Sequence, residues 1–163
     1  MVEELINNLK TIISGHKMLN QLAAAKIQVI KDGDVKQLNQ IINQEEKVIC
    51  RIRQLEKDRE MIVKAILQKK NVSGEHTPAL TEILAYIPSV YHHQLKQLRG
   101  ELVQQIESLK ETNDLNQQLL RQSLQWVHLN INLLQPQPTL NNYQHPGKAL
   151  GGQPMLSRID SRA

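Results

Sequence analysis

Glu111-Thr-Asn-Asp-Leu-Asn-Gln-Gln-Leu-Leu-Arg-Gln-Ser-Leu-Gln-Trp-Val-His-Leu-Asn-Ile-Asn-Leu-Leu134 is the stretch whose reading decides the fold. Leu115, Leu119, Leu120, Leu124, Val127, Ile131 and Leu134 recur at steps of three and four, the spacing that lines one face of an α-helix. Asn116, Ser123 and Asn130 interrupt that stripe where a purely structural core favours aliphatic residues. Beyond Leu134 the chain turns to Pro136, Pro138, Pro146 and the pair Gly151-Gly152. A half-polar helical stripe that runs into such a segment reads as a surface for a partner.

Working upstream, the same period extends the helix back through Leu109, Ile106, Leu102, Leu98 and Leu95 to about Val90. Gly100 costs this helix about 1 kcal/mol relative to Ala, which does not stop a run of this length. Pro88 ends or kinks the preceding segment, and Ser89 is placed to cap the long helix. A short helix is expected over residues 77–87, with Thr77 as N-cap and Pro78 at the first helical position. Earlier still, Val2, Leu5, Ile6, Leu9, Ile12, Ile13, Leu19, Ala23, Ile27 and Ile30 define a helix over residues 2–31. Val35, Leu38, Ile41, Val48, Ile52, Leu55, Ile62 and Leu67 define another to about Lys70. Between them, Gly33 suits a left-handed C-terminal cap, and Asp34 with Gln37 forms a capping-box pattern. A turn this short returns the second helix antiparallel to the first.

The fold class expected is therefore all-α: an elongated antiparallel helical bundle or coiled coil of three long helices plus one short helix, with a disordered C-terminal tail. The helical domain occupies residues 1–135 and the flexible tail residues 136–163. Composition agrees, because 163 residues with no Phe, one Trp and three Tyr must build their seams from aliphatic side chains. At 1.5 Å per residue the three helices measure about 45, 54 and 69 Å, which do not match. If the last packs along the hairpin of the first two, approximately residues 123–134 lack cover from their own chain. The short 77–87 helix or a second copy is the alternative cover. Leu109 and Leu115 are assigned to the bundle.

Several function classes are disfavoured. The net charge of +4 is spread through alternating runs such as Arg51-Ile-Arg-Gln-Leu-Glu-Lys-Asp-Arg-Glu60, the pattern of a solvated helix face and not of a phosphate track. Aromatic stacking platforms for nucleic acid are nearly missing. Cys50 reads as a small semi-buried residue, His16 as a core-edge histidine bonded to a neighbour, and His92-His93 as a surface pair pointing to different faces. Glu60 and Lys64 are spaced for a weak i,i+4 ion pair. No P-loop or glycine-rich phosphate turn occurs, so neither cofactor nor metal is expected, and no acid/base constellation indicates an enzyme. The chain opens on Met1-Val-Glu-Glu-Leu-Ile, without the features of a signal peptide, and no apolar run approaches the ~20 residues that span a bilayer. A cytoplasmic location is expected.

The tail carries a net +2, from Lys148, Arg158 and Arg162 against Asp160, and few apolar side chains. Such a segment does not offset its own ordering entropy. Met155-Leu-Ser-Arg-Ile-Asp160 is its one apolar cluster and its expected anchor. The candidate partner-binding residues are accordingly Leu119, Leu120, Ser123, Leu124, Trp126, Val127, Asn130, Ile131, Leu133 and Leu134 on the helix, with Leu156 and Ile159 in the tail.

The order of features resembles the FlgN-like flagellar export chaperones, in the form found in Gram-positive bacteria. The resemblance rests on Asn43-Gln-Glu-Glu-Lys47 in an Ile-rich second helix, on Leu80-Thr-Glu-Ile83, and above all on Asn113-Asp-Leu-Asn-Gln-Gln-Leu-Leu-Arg-Gln-Ser-Leu-Gln-Trp126. Tyr143, Gly147 and the closing Ser157-Arg-Ile-Asp-Ser-Arg-Ala163 are similar to endings of that family. The resemblance implies a cytoplasmic chaperone of type III protein export. It would hold hook-associated, or hook–filament junction, proteins by their terminal helical segments, prevent their premature self-association, and deliver them to the export gate for flagellum assembly. A homodimer is compatible with it. The alternative from the residues alone is a structural coiled-coil or adaptor protein that homo-oligomerises through its last helix.

Overall fold

The structure, a computed structural model, describes residues 1–70 and 83–134. Three long helices account for most of them: α1 (Val2–Asp32), α2 (Val35–Lys69) and α3 (His92–Leu134). The expected bounds hold to within two residues. Two 3₁₀ turns, Leu84–Tyr86 and Ser89–Tyr91, lead into α3, the second opened by Pro88 with no side-chain cap from Ser89. Of the short helix expected over 77–87, residues 77–82 lie outside the described residues, Ile83 is α-helical, and the chain tightens into the 3₁₀ turn Leu84–Tyr86 after it.

The α1–α2 turn is explained by its own residues. Gly33 takes φ 68°, a left-handed conformation that costs glycine little. Its N–H bonds the Ile30 carbonyl while the Asp34 N–H bonds that of Val29, which satisfies two carbonyls the helix end would leave open. Asp34 then accepts the Gln37 N–H at 2.9 Å and caps α2. The helices run back antiparallel, with Asn8 bonding the Leu55 carbonyl and Lys26 pairing with Glu45.

Helix α1 is central. It buries adjacent pairs, Leu5 with Ile6, Asn8 with Leu9, Ile12 with Ile13, and Val29 with Ile30. Neighbouring positions point about 100° apart, so a helix that buries both must be covered on two sides. Helix α2 covers one side and α3 the other, whereas α2 and α3 approach each other little. Lys17 pairs with Glu101, Asn20 bonds Gln105, and Asn116 bonds the Ala23 carbonyl, so residue numbers rise together and α3 runs parallel to α1.

The densest core lies where α1 begins, α2 ends and α3 begins. Leu5, Leu9, Val63, Ile83 and Leu95 are fully buried there, joined by Ile66, Leu67, Ile87 and Leu98. The segment through Ile83 and Ile87 thus packs at the opposite end of the molecule from residues 123–134 and does not cover them.

The structure corrects several expectations. Asn116, expected to interrupt a partner face, is 3% exposed and turned inward to Ala23, while Leu115, assigned to the bundle, is 43% exposed. Consecutive helix residues point 100° apart, and α3 presents Asn116 to α1, which turns Leu115 outward. Cys50 is exposed. Among the ion pairs of the described residues Glu60 and Lys64 do not figure; Glu56 pairs with Arg59 instead. His92 is half-buried, its Nε2 2.8 Å from the Ile87 carbonyl, which can only accept. His16 is half-buried, and its Nδ1 has no hydrogen-bond partner among the described residues. Burial lowers its pKa from the ordinary 6.5, a shift opposed by the nearby Glu56 carboxylate.

Candidate functional site

The phase of α3 is set by the face it presents to α1. Leu95, Leu98, Leu102, Gln105, Leu109, Thr112, Asn116 and Leu119 are all buried or half-buried, and they alternate steps of three and four. That is the spacing of a coiled-coil seam. Its Gln105 side chain accepts from Asn20 and its Asn116 side chain donates to the Ala23 carbonyl, so both polar interruptions in this part of the helix are turned to α1, with Asn116 Oδ1 left without a partner among the described residues.

Carried forward, the seam reaches Ser123, Trp126, Asn130 and Leu133, and there α1 runs out. Helix α1 has 31 residues and α3 has 43. Their lengths are about 46 and 64 Å, a difference of about 18 Å. The end of α1 lies level with Leu119 to Trp126, because Ile30, Lys31, Asp32 and Gly33 share with Leu119, Gln122, Ser123 and Trp126 an open depression of about 410 Å³. From Leu120 to Leu134 every residue is exposed.

A second seam runs beside the first, one residue on: Leu120, Leu124, Val127, Ile131 and Leu134, spaced four, three, four and three. All five are exposed. With Leu129 and Leu133 they wrap the end of α3 in apolar surface on more than one side. Trp126 is 68% exposed and Leu134 82%. Charge is sparse here, since Arg121 and His128 are the only ionisable side chains between Leu119 and Leu134. A helix end apolar on several sides and poor in charge is suited to packing against other helices.

The candidate residues named from the sequence therefore divide. Leu119 is half-buried and closes the intramolecular seam. Ser123, Trp126, Asn130 and Leu133 continue that seam beyond its partner, and Leu120, Leu124, Val127, Ile131 and Leu134 form the second. Leu156 and Ile159 lie outside the described residues. Sequence reasoning missed Ile30 and the Lys31–Gly33 turn as the wall of the depression. Only the parallel register of α1 and α3 puts them there, and no local signal marks it.

Among the described residues no group of three or more His, Cys, Asp or Glu side chains is placed to hold a metal. No helix among them is long and apolar enough to cross a membrane.

Comparison with known proteins places these features in a family. The sequence model of the FlgN protein family matches residues 1–151. The chain is also similar to the Bacillus subtilis (strain 168) protein named "Uncharacterized protein YvyG", with 31% identity over 160 residues, covering 98% of this chain and 97% of that one. No solved structure matches.

Proposed function

The chain belongs to the FlgN family, a family of flagellar export chaperones, and from that premise we propose that it holds hook-associated proteins on the overhanging end of α3. The client's terminal amphipathic helix lies along Leu120, Leu124, Val127, Ile131 and Leu134, with Trp126 and Leu133 closing on its other side. Held there in the cytoplasm, the client is kept from self-association until it reaches the export gate. The tail of residues 136–163, with Leu156 and Ile159 as its anchor, contributes to the same complex. The activity is binding and release, with no catalytic step.

The observation that carries this reading is the length of α3 that has no helix beside it among the described residues, which continues a packed seam past the end of α1 and adds a second seam of five exposed aliphatic side chains. Asn130 and Ser123 would lower affinity and favour one register, as suits a complex that must be released. Trp126, the chain's single tryptophan, provides the test. Titration with a tryptophan-free peptide from the terminal helix of a hook-associated protein should shift its emission to shorter wavelength, and Leu124→Ser should remove the shift. Saturable binding with unchanged emission would place the client elsewhere. A stable dimer that ignores the peptide would favour homo-oligomerisation through α3.

A further inference from the structure

The α1–α2 hairpin carries a second apolar surface, made by different residues. Two adjoining depressions, of about 130 and 490 Å³, share Met18 and Val48 and so form one groove. Its apolar floor is Met18 and Leu22 from α1 with Val48, Ile52 and Leu55 from α2. Gly15 lets the helices close at the floor, since a Cβ there would lie 2.8 Å from Ile52 Cγ1. From Gln44 to Leu55 the groove runs along about 17 Å of α2, or three helical turns. Met18 is 52% exposed in it.

The charge along this groove is one-sided. Lys47 and Arg51 are the only charged residues lining it, they stand one turn apart on α2, and neither appears in an ion pair among the described residues. The other rim offers the uncharged Thr11, Ser14 and Gln21. We infer that the groove between α1 and α2 takes an amphipathic helix whose apolar stripe is flanked by acidic residues, spaced to meet Lys47 and Arg51. The apolar floor supplies contact area, and the two cations orient the ligand and select against a basic one. This site is separate from the end of α3 and stands or falls apart from the client reading.

The probe is a labelled helical peptide of about fourteen residues with a Leu stripe flanked by Glu, set against the same peptide with Lys for Glu, each titrated into the full chain by fluorescence anisotropy. The acidic peptide should bind and the basic one should not. Lys47→Glu with Arg51→Glu should weaken the acidic peptide about tenfold and admit the basic one. Met18→Lys should block the acidic peptide with helicity unchanged, while Leu124→Ser should leave it bound. Equal binding of both peptides, binding of neither, or loss on Leu124→Ser but not on Met18→Lys would overturn the inference. So would binding seen only after removal of residues 135–163, which would make the tail the occupant, or a dimer whose dissociation by Met18→Lys is the sole effect.

Discussion

The two ends of the molecule differ in what their leucines do. At one, Leu5, Leu9, Val63, Ile83 and Leu95 come from three helices and a connector and are sealed from water. At the other, Leu120, Leu124, Val127, Ile131 and Leu134 come from one helix and face solvent. Both sets have helical spacing, so periodicity alone does not separate them. The number of helices present at that level of the bundle does. A seam is a core only where a partner is long enough to cover it.

The contrast can be broken most forcefully at the packed end. Leu9→Ala should cost about 2–5 kcal/mol by lost burial and a residual cavity, whereas Leu124→Ala should stay within about 0.5 kcal/mol. Denaturant unfolding monitored by circular dichroism checks both; equal costs would mean that the end of α3 is as well packed as the core.

Smaller effects come from the middle, where α1 meets its neighbours. Gly15→Ala sets about 1–3 kcal/mol of overpacking against Ile52 against a gain of about 1 kcal/mol in helix propensity, so a net loss of about 1 kcal/mol is expected. In an Ile52→Ala background the same change should stabilise, which a double-mutant cycle would show. Asn116→Ala should cost about 1 kcal/mol through its bond to the Ala23 carbonyl. Asn116→Leu should be close to neutral, because it loses the same bond and the same Oδ1, unpartnered among the described residues, but fills the site with an apolar side chain of similar size.

The smallest effect is a pH dependence. His16 has a lowered pKa when folded, from burial, so the unfolded chain binds its proton more readily. Its contribution is therefore fully favourable above the ordinary 6.5 and is lost as pH falls below it. The unfolding midpoint should decline slightly on acidification through that window, and His16→Leu should flatten the decline. A steeper decline in the variant would reverse the sign assigned to this residue.

Much of this architecture is legible in the sequence because its signals are local. Gly33, Asp34 and Gln37 fix the first turn through their own backbone and side-chain bonds, and helix lengths read from periodicity lead directly to an uncovered segment near residues 123–134. The phase of α3 is not legible. Leu115, Leu119, Leu120 and Leu124 read as one stripe, whereas Leu119 belongs to the face on α1 and Leu120 and Leu124 to the face beside it, and Asn116 turns inward. Two apolar seams one residue apart cannot be told from one broad seam until a neighbour fixes the rotation of the helix. The same reason hides the lack, among the described residues, of a partner for His16 Nδ1 and the exposure of Cys50, since each depends on which helix stands opposite.

The most direct measurement sets stability and affinity side by side in one variant. Leu120→Ser, Leu124→Ser and Ile131→Ser combined should leave helicity and the unfolding midpoint nearly unchanged, while calorimetry with a purified hook-associated protein shows binding weakened at least about tenfold. Unchanged affinity, or collapse of the helical signal, would contradict the assignment of this end of α3 as the client surface.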